Sequence, residues 1–224
     1  MSVHLQREIE NLKKRLLSLC AIVEEQVEIA VRALTDGDED LADAVERRDA
    51  EVDRREVDLE EDCLKILALH QPVAADLRFV VTVLKMNSDL ERLGDLAVNI
   101  ARKAASLARE GIGVGSFDLA TMWGKTRIML RHSIDALVNG DAALAHQVCA
   151  MDDEVDDMKR EVRLKIEQLI RQEPERAHAM LTLLAVPRNL ERISDHATNI
   201  AEDVIYMVEG QIVRHGAISQ PRKQ

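Results

Sequence analysis

The sequence is short of aromatics, prolines, cysteines and basic charge, and each shortage excludes something. Phe, Trp and Tyr together make up 2% of 224 residues. Strand-rich cores draw on aromatic and β-branched residues in strict alternation, and that pattern is absent. Four prolines leave long stretches in which nothing removes a backbone donor. Cys20, Cys63 and Cys149 are odd in number and form no CxxC pair, so neither a disulfide framework nor a zinc-ribbon spacing is present. They are expected as buried small hydrophobes in a reducing, cytoplasmic setting. No apolar run approaches the roughly 20 residues a membrane helix needs. The opening "MSVHLQREIENLKK" is charged where a secretory leader needs an apolar stretch. Against 41 Asp and Glu there are only 30 Lys and Arg, a net charge of −11. Nucleic-acid binding would need a basic stripe, so no nucleic-acid partner is expected.

What is abundant is aliphatic and charged: 46% of residues are hydrophobic and 32% charged. This suits an all-α protein with an aliphatic core. Apolar residues at alternating spacings of three and four predict six long helices, over about residues 3–34, 39–69, 72–109, 117–138, 142–171 and 174–210. The turn "TDGD" ends the first, with Gly37 suited to the left-handed position and Asp38 to capping the next helix. "VNGD" repeats it, with Gly140 and Asp141 at an offset of 103. Pro72 and Pro174 are expected in the first turns of the third and sixth helices. "DLERLGDLAVNIARKA" recurs as "NLERISDHATNIAEDV"; from Leu90/Leu190 to Ala101/Ala201 eight of twelve positions are identical, at an offset of 100. The chain therefore reads as two tandem three-helix bundles with antiparallel neighbours. The units are residues 1–110 and 117–212, joined by the Gly-rich linker 111–116 and followed by a tail, 213–224.

Four pairs of acids carry the functional signal. Asp49 and Asp53 lie one turn apart on the second helix, and Asp152 and Asp156 repeat them on the fifth. Glu91 and Asp95 lie on the third helix, and Glu191 and Asp195 on the sixth, on a line away from the core stripe through Leu90, Leu93 and Ala97. Each motif is about 26 Å from its interhelical turn at ~1.5 Å per residue. Antiparallel neighbours then place two carboxylate pairs side by side in each half. Like charges at this spacing destabilise a helix by a few tenths of a kcal/mol per pair. A shared cation would offset that, and an all-oxygen cluster suits Mg²⁺, Ca²⁺, Mn²⁺ or iron. The rival reading is a solvated acidic face.

Other candidates point elsewhere. Arg92 and Arg192 balance neighbouring acids. His196 follows Asp195, but Leu96 stands at the matching place in the first half, so it is expected at a surface or boundary. Trp123 is expected in packing. Pro187, inside the sixth helix, should bend it. No GxGxxG, P-loop, HExxH or GxSxG is present.

"QPVAADLR" (Gln71 to Arg78), "DLERLGDLAVNIAR" and "NLERISDHATNIAEDVIYMVEG", with the paired acids of both halves, resemble the PhoU family of bacterial phosphate-regulation proteins. "QPVAADLR" has no good counterpart after Pro174. The resemblance implies metal clusters on the bundle surface, held by Asp49, Asp53, Glu91 and Asp95 in one half and Asp152, Asp156, Glu191 and Asp195 in the other. The ions implied are divalent or trivalent: iron, zinc, manganese or magnesium. It also implies a non-enzymatic, cytoplasmic negative regulator of the phosphate regulon. Such an adaptor links the ATPase PstB of the phosphate ABC transporter to the sensor histidine kinase PhoR. It reaches the membrane only through those partners, and can form a homodimer. The alternatives are a metal-dependent enzyme acting on phosphate compounds and service to a different phosphate transporter.

Overall fold

The computed structural model describes residues 3–210, so the expected tail lies outside the described residues. Seven α-helices follow one another: α1 (Val3–Asp36), α2 (Glu39–His70), α3 (Ala74–Arg109), α4 (Leu119–Asn139), α5 (Ala142–Gln172), α6 (Ala177–Leu183) and α7 (Ala185–Glu209). A single 3₁₀ turn, Pro174–Arg176, precedes α6. α1, α2 and α3 pack on one another, as do α4, α5 and α7. The two bundles meet along α3 and α7, with α1 against α4, and share one continuous aliphatic core.

The duplicated turns work in the same way. Gly37 and Gly140 have φ of 67° and 63°. Asp38 and Asp141 then accept the amide hydrogens of Leu41 and Leu144 at 3.0 and 2.9 Å. Such a cap stabilises a helix start by about 1 kcal/mol. Two short turns thus fix the antiparallel order in both halves.

The prolines account for the departures from six unbroken helices. Pro187 cannot donate to the carbonyl of Leu183, and its ring crowds that carbonyl. α6 accordingly stops at Leu183, and α7 restarts at Ala185 with Pro187 in its first turn, where a missing amide hydrogen costs little. The bend expected at Pro187 is a break one residue long, at Leu184. Pro72 lies outside α3, which starts at Ala74 after an extended Val73. Gln71 takes a left-handed conformation (φ 45°) and caps α2 by donating to the carbonyl of Leu67. Pro174 does begin a helical turn, of the 3₁₀ kind.

Polar contacts stitch the bundles together. Glu24 of α1 accepts from Arg127 at 2.8 Å and Arg131 at 2.7 Å. Glu28 accepts from the Trp123 indole and from Arg127 at 2.9 and 3.0 Å. Across α3 and α7, Lys85 donates to Asp203 at 3.1 Å, and Arg78 to the carbonyl of Met207 at 3.0 Å. His196 is not a surface residue. It is buried at this seam, its Nδ1 2.9 Å from Oδ1 of Asp89. Cys20 and Cys63 are buried and Cys149 half-buried, all three as free thiols. Among the described residues, no helix is long and apolar enough to cross a membrane.

Candidate metal centres

The acid motifs face each other as the helix heights require. In the first half, α2 carries Asp49 and Asp53, and α3 carries Glu91 and Asp95. Asp49 and Glu91 are half-buried, whereas Asp53 and Asp95 are exposed. Burial pushes the Asp49 carboxyl up, a hydrogen bond from Gln26 opposes this, and the charges of Asp53 and Asp95 push it further. Burial likewise raises Glu91, with Asp95, Asp53 and Asp49 adding to the effect and Arg92 opposing it. The four acids therefore feel one another across the α2–α3 groove.

A fifth acid belongs to this group and was missed in the sequence. Glu56, one turn beyond Asp53, is raised by burial and by the charges of Glu60, Glu91 and Asp53. Two buried amides serve the cluster from behind. Gln26 of α1, fully buried, donates from Nε2 to Asp49 Oδ1 at 3.1 Å. Asn87 of α3 donates from Nδ2 to the carbonyl and the side chain of Glu56, both at 2.8 Å. The other oxygen of each amide, Gln26 Oε1 and Asn87 Oδ1, is buried without a hydrogen-bond partner. An unpartnered buried carbonyl costs on the order of 1–3 kcal/mol.

Gly94 sets the spacing between the two walls. A Cβ there would lie 3.2 Å from Val52 Cγ1 and 3.4 Å from Asp49 Oδ1. Gly94→Val is expected to force α2 and α3 apart and cost about 1–3 kcal/mol. A urea midpoint equal to that of the parent protein would refute the close-approach account. The second half has Ser194 here, its hydroxyl turned back onto the Glu191 carbonyl at 2.7 Å.

In the second half, α5 supplies Asp152 and Asp156, and α7 supplies Glu191 and Asp195. Burial raises Asp152, with the charge of Asp156 next. Asp195 is pushed up to about 6 by desolvation, then by Glu191, Asp152 and Asp156, with Lys159 opposing. Lys159 spans the groove. Its Nζ donates to Asp156 Oδ1 and to Glu191 Oε1, both at 2.8 Å. Thr198 donates to Asp152 at 3.4 Å.

Among the described residues, no three His, Cys, Asp or Glu side chains converge on one point as the ligands of an ion do. The residues of the first half nonetheless fit a hard cation. They offer only oxygen donors, burial and then neighbouring acid charge raise two of the four expected ligands and Glu56, and two buried carbonyl oxygens lie unpartnered beside them. Lone carboxylates one turn apart repel one another.

Comparisons with known proteins identify the family of the chain and its fold. The sequence model of the PhoU domain matches twice, over residues 16–104 and 119–204. The chain is 36% identical to the phosphate-specific transport system accessory protein PhoU homolog of Pseudomonas aeruginosa, covering 100% of this chain and 93% of that protein. It is 34% identical to homolog 1 of Thermotoga maritima, covering 93% and 90%. Its structure resembles the crystal structure of PhoU from Pseudomonas aeruginosa with a TM-score of 0.88 over 92% of this chain and 99% of that one, at 36% identity. The phosphate transport system regulatory protein PhoU from Streptococcus pneumoniae gives 0.85 over 93% and 99%, at 26% identity. Matched in both halves and along nearly its whole length, the chain belongs to the PhoU domain family.

Proposed function

We propose that this chain is a non-enzymatic accessory protein of a phosphate-specific transport system and restrains the phosphate regulon when phosphate is plentiful. The observation that carries this reading is the double PhoU match, shared with full-length relatives named as accessory proteins of that system. In this reading it works in the cytoplasm as an adaptor between the transporter ATPase PstB and the sensor kinase PhoR. Six long helices in a shared core suit a rigid scaffold, and the tight, charged seam between bundles holds two faces in fixed relation. Asp49, Asp53, Glu91 and Asp95 would hold metal ions in the first half. Bound there, an ion would neutralise the crowded carboxylates and stiffen the α2–α3 face.

The test is co-purification of the tagged chain with the transporter ATPase and with the sensor kinase. A deletion strain is expected to express phosphate-starvation genes in abundant phosphate. Capture of neither partner, with normal repression in the deletion strain, would overturn the proposal. Phosphoester turnover by the purified protein that vanishes in Glu91→Ala would favour an enzyme instead.

A further inference from the structure

The two acid clusters share four positions and differ in almost everything around them. At the offset of 103 that relates α2 to α5, Lys159 stands where the first half has Glu56. At the offset of 100 that relates α3 to α7, Pro187 stands where the first half has Asn87. The buried Gln26 of α1 becomes Met129 in α4, also fully buried. Each change removes a feature that suits a cation. The fifth acid becomes an ammonium, and the two amides with orphaned oxygens become a proline and a thioether.

The surroundings change in the same sense. Val57, Glu60 and Ser88 of the first half correspond to Arg160, Arg163 and Arg188 of the second. Together with Asp156, Lys159 and Glu191, these arginines line a groove of about 640 Å³ that Leu181, Leu184 and Pro187 also border. Arg160 and Arg163 spend their charge on Asp157 and Glu167 at 2.7 and 2.8 Å. Arg188 has no ion-pair partner among the described residues, so it adds positive potential at the rim.

We propose that the clusters have parted roles: the first takes multivalent cations, and the second carries its own cation in Lys159 and closes without metal. An ammonium bound to one carboxylate of each wall supplies part of the positive charge that a multivalent ion would bring. It does so as a tethered group, present at an effective concentration no free ion matches. A metal entering the second site must displace Lys159 and approach past Arg188. Among the described residues, no cation hydrogen-bonds to the four acids of the first site, although Arg92 and Arg102 lie near enough to oppose the rise of Glu91 and Asp49. The α5–α7 groove is then permanently latched, whereas the α2–α3 groove responds to metal supply.

This inference rests on the metal reading above, and the experiment separates the two. The full chain is stripped with chelator, incubated in turn with Mn²⁺, Zn²⁺ and Fe³⁺, desalted, and its bound metal counted by elemental analysis. Asp53→Asn/Glu91→Gln is expected to lose all tightly held metal. Asp156→Asn/Glu191→Gln is expected to retain the wild-type content. Lys159→Met is expected to gain a second complement of metal, and Lys159→Arg to gain none. In chelator, Lys159→Met should melt below the wild type, and metal should restore it. Metal loss of the same size in both double variants overturns the division of roles, and no gain in Lys159→Met overturns the part given to Lys159, in either case leaving metal binding intact. No metal on any variant overturns the metal reading and the division with it.

Discussion

Replacing His196 with alanine is expected to lower the melting temperature by about 6–12 °C, through a loss of about 3 kcal/mol. The change leaves the Asp89 carboxylate buried at the α3–α7 seam, with its 2.9 Å partner gone. Most of that cost is the desolvation of an unpaired charge, not the worth of the pair. The control is His196→Leu/Asp89→Leu, which removes both polar groups. It should recover most of the stability, because a leucine already occupies the His196 position in the first half, at Leu96. Thermal unfolding of the two single variants and the double variant gives the coupling directly. A loss below about 1 kcal/mol in His196→Ala would mean that water reaches Asp89 and that the seam is looser than its geometry implies.

That pair also marks where sequence reasoning stops. The turns were legible because Gly37, Asp38, Gly140 and Asp141 each act within a few residues of themselves. A bend near Pro187 was legible because that residue acts on the carbonyl four residues back, but the break into α6 and α7 was not. The facing of the acid motifs followed from counting residues away from a turn, which is a property of straight antiparallel helices. What no single stripe could reveal is that α3 is buried on more than one side. It packs on α1, α2 and α7, so Thr82, Asn87 and Asp89 are buried in addition to Leu90, Leu93 and Ala97. A polar residue on that second face looks like surface until the partner helix is known, and His196 on α7 is its counterpart. Glu56 and Lys159 were within reach. Carrying the repeat offset one turn beyond Asp53 and Asp156 would have exposed the charge reversal.

Metal-free protein is expected to grow more stable as pH falls from about 7.5 to about 5, and metal-loaded protein to gain less. The sign follows from where protons bind. Asp195 holds its proton up to about pH 6 in the fold, against a value of 3.8 for an ordinary aspartate, and Asp49, Glu56, Glu91 and Asp152 are displaced upward too. Between those limits the folded state binds more protons than the unfolded chain, so stability rises as acid is added. The penalty of crowded carboxylates is fully present above the raised values and is relieved on descending through them. Glu24 works the other way. Burial alone would raise it, but hydrogen bonds and charge from Arg131 and Arg127 hold it below its ordinary range. Its contribution is complete above the unfolded value and is lost as pH falls through the folded one. The α1–α4 seam therefore weakens only in stronger acid, and the chelated protein should be most stable near pH ~5, between the two effects. An ion bound in the α2–α3 groove opposes that gain, because protons must then compete with it for the oxygens of Asp49, Glu56 and Glu91, whereas the Asp195 contribution in the other groove stays as it is. Melting temperatures recorded across this range in chelator and in saturating Mn²⁺ check both expectations. Parallel curves would mean that the carboxylates of the α2–α3 groove never share an ion, and that their proximity is carried by solvent alone.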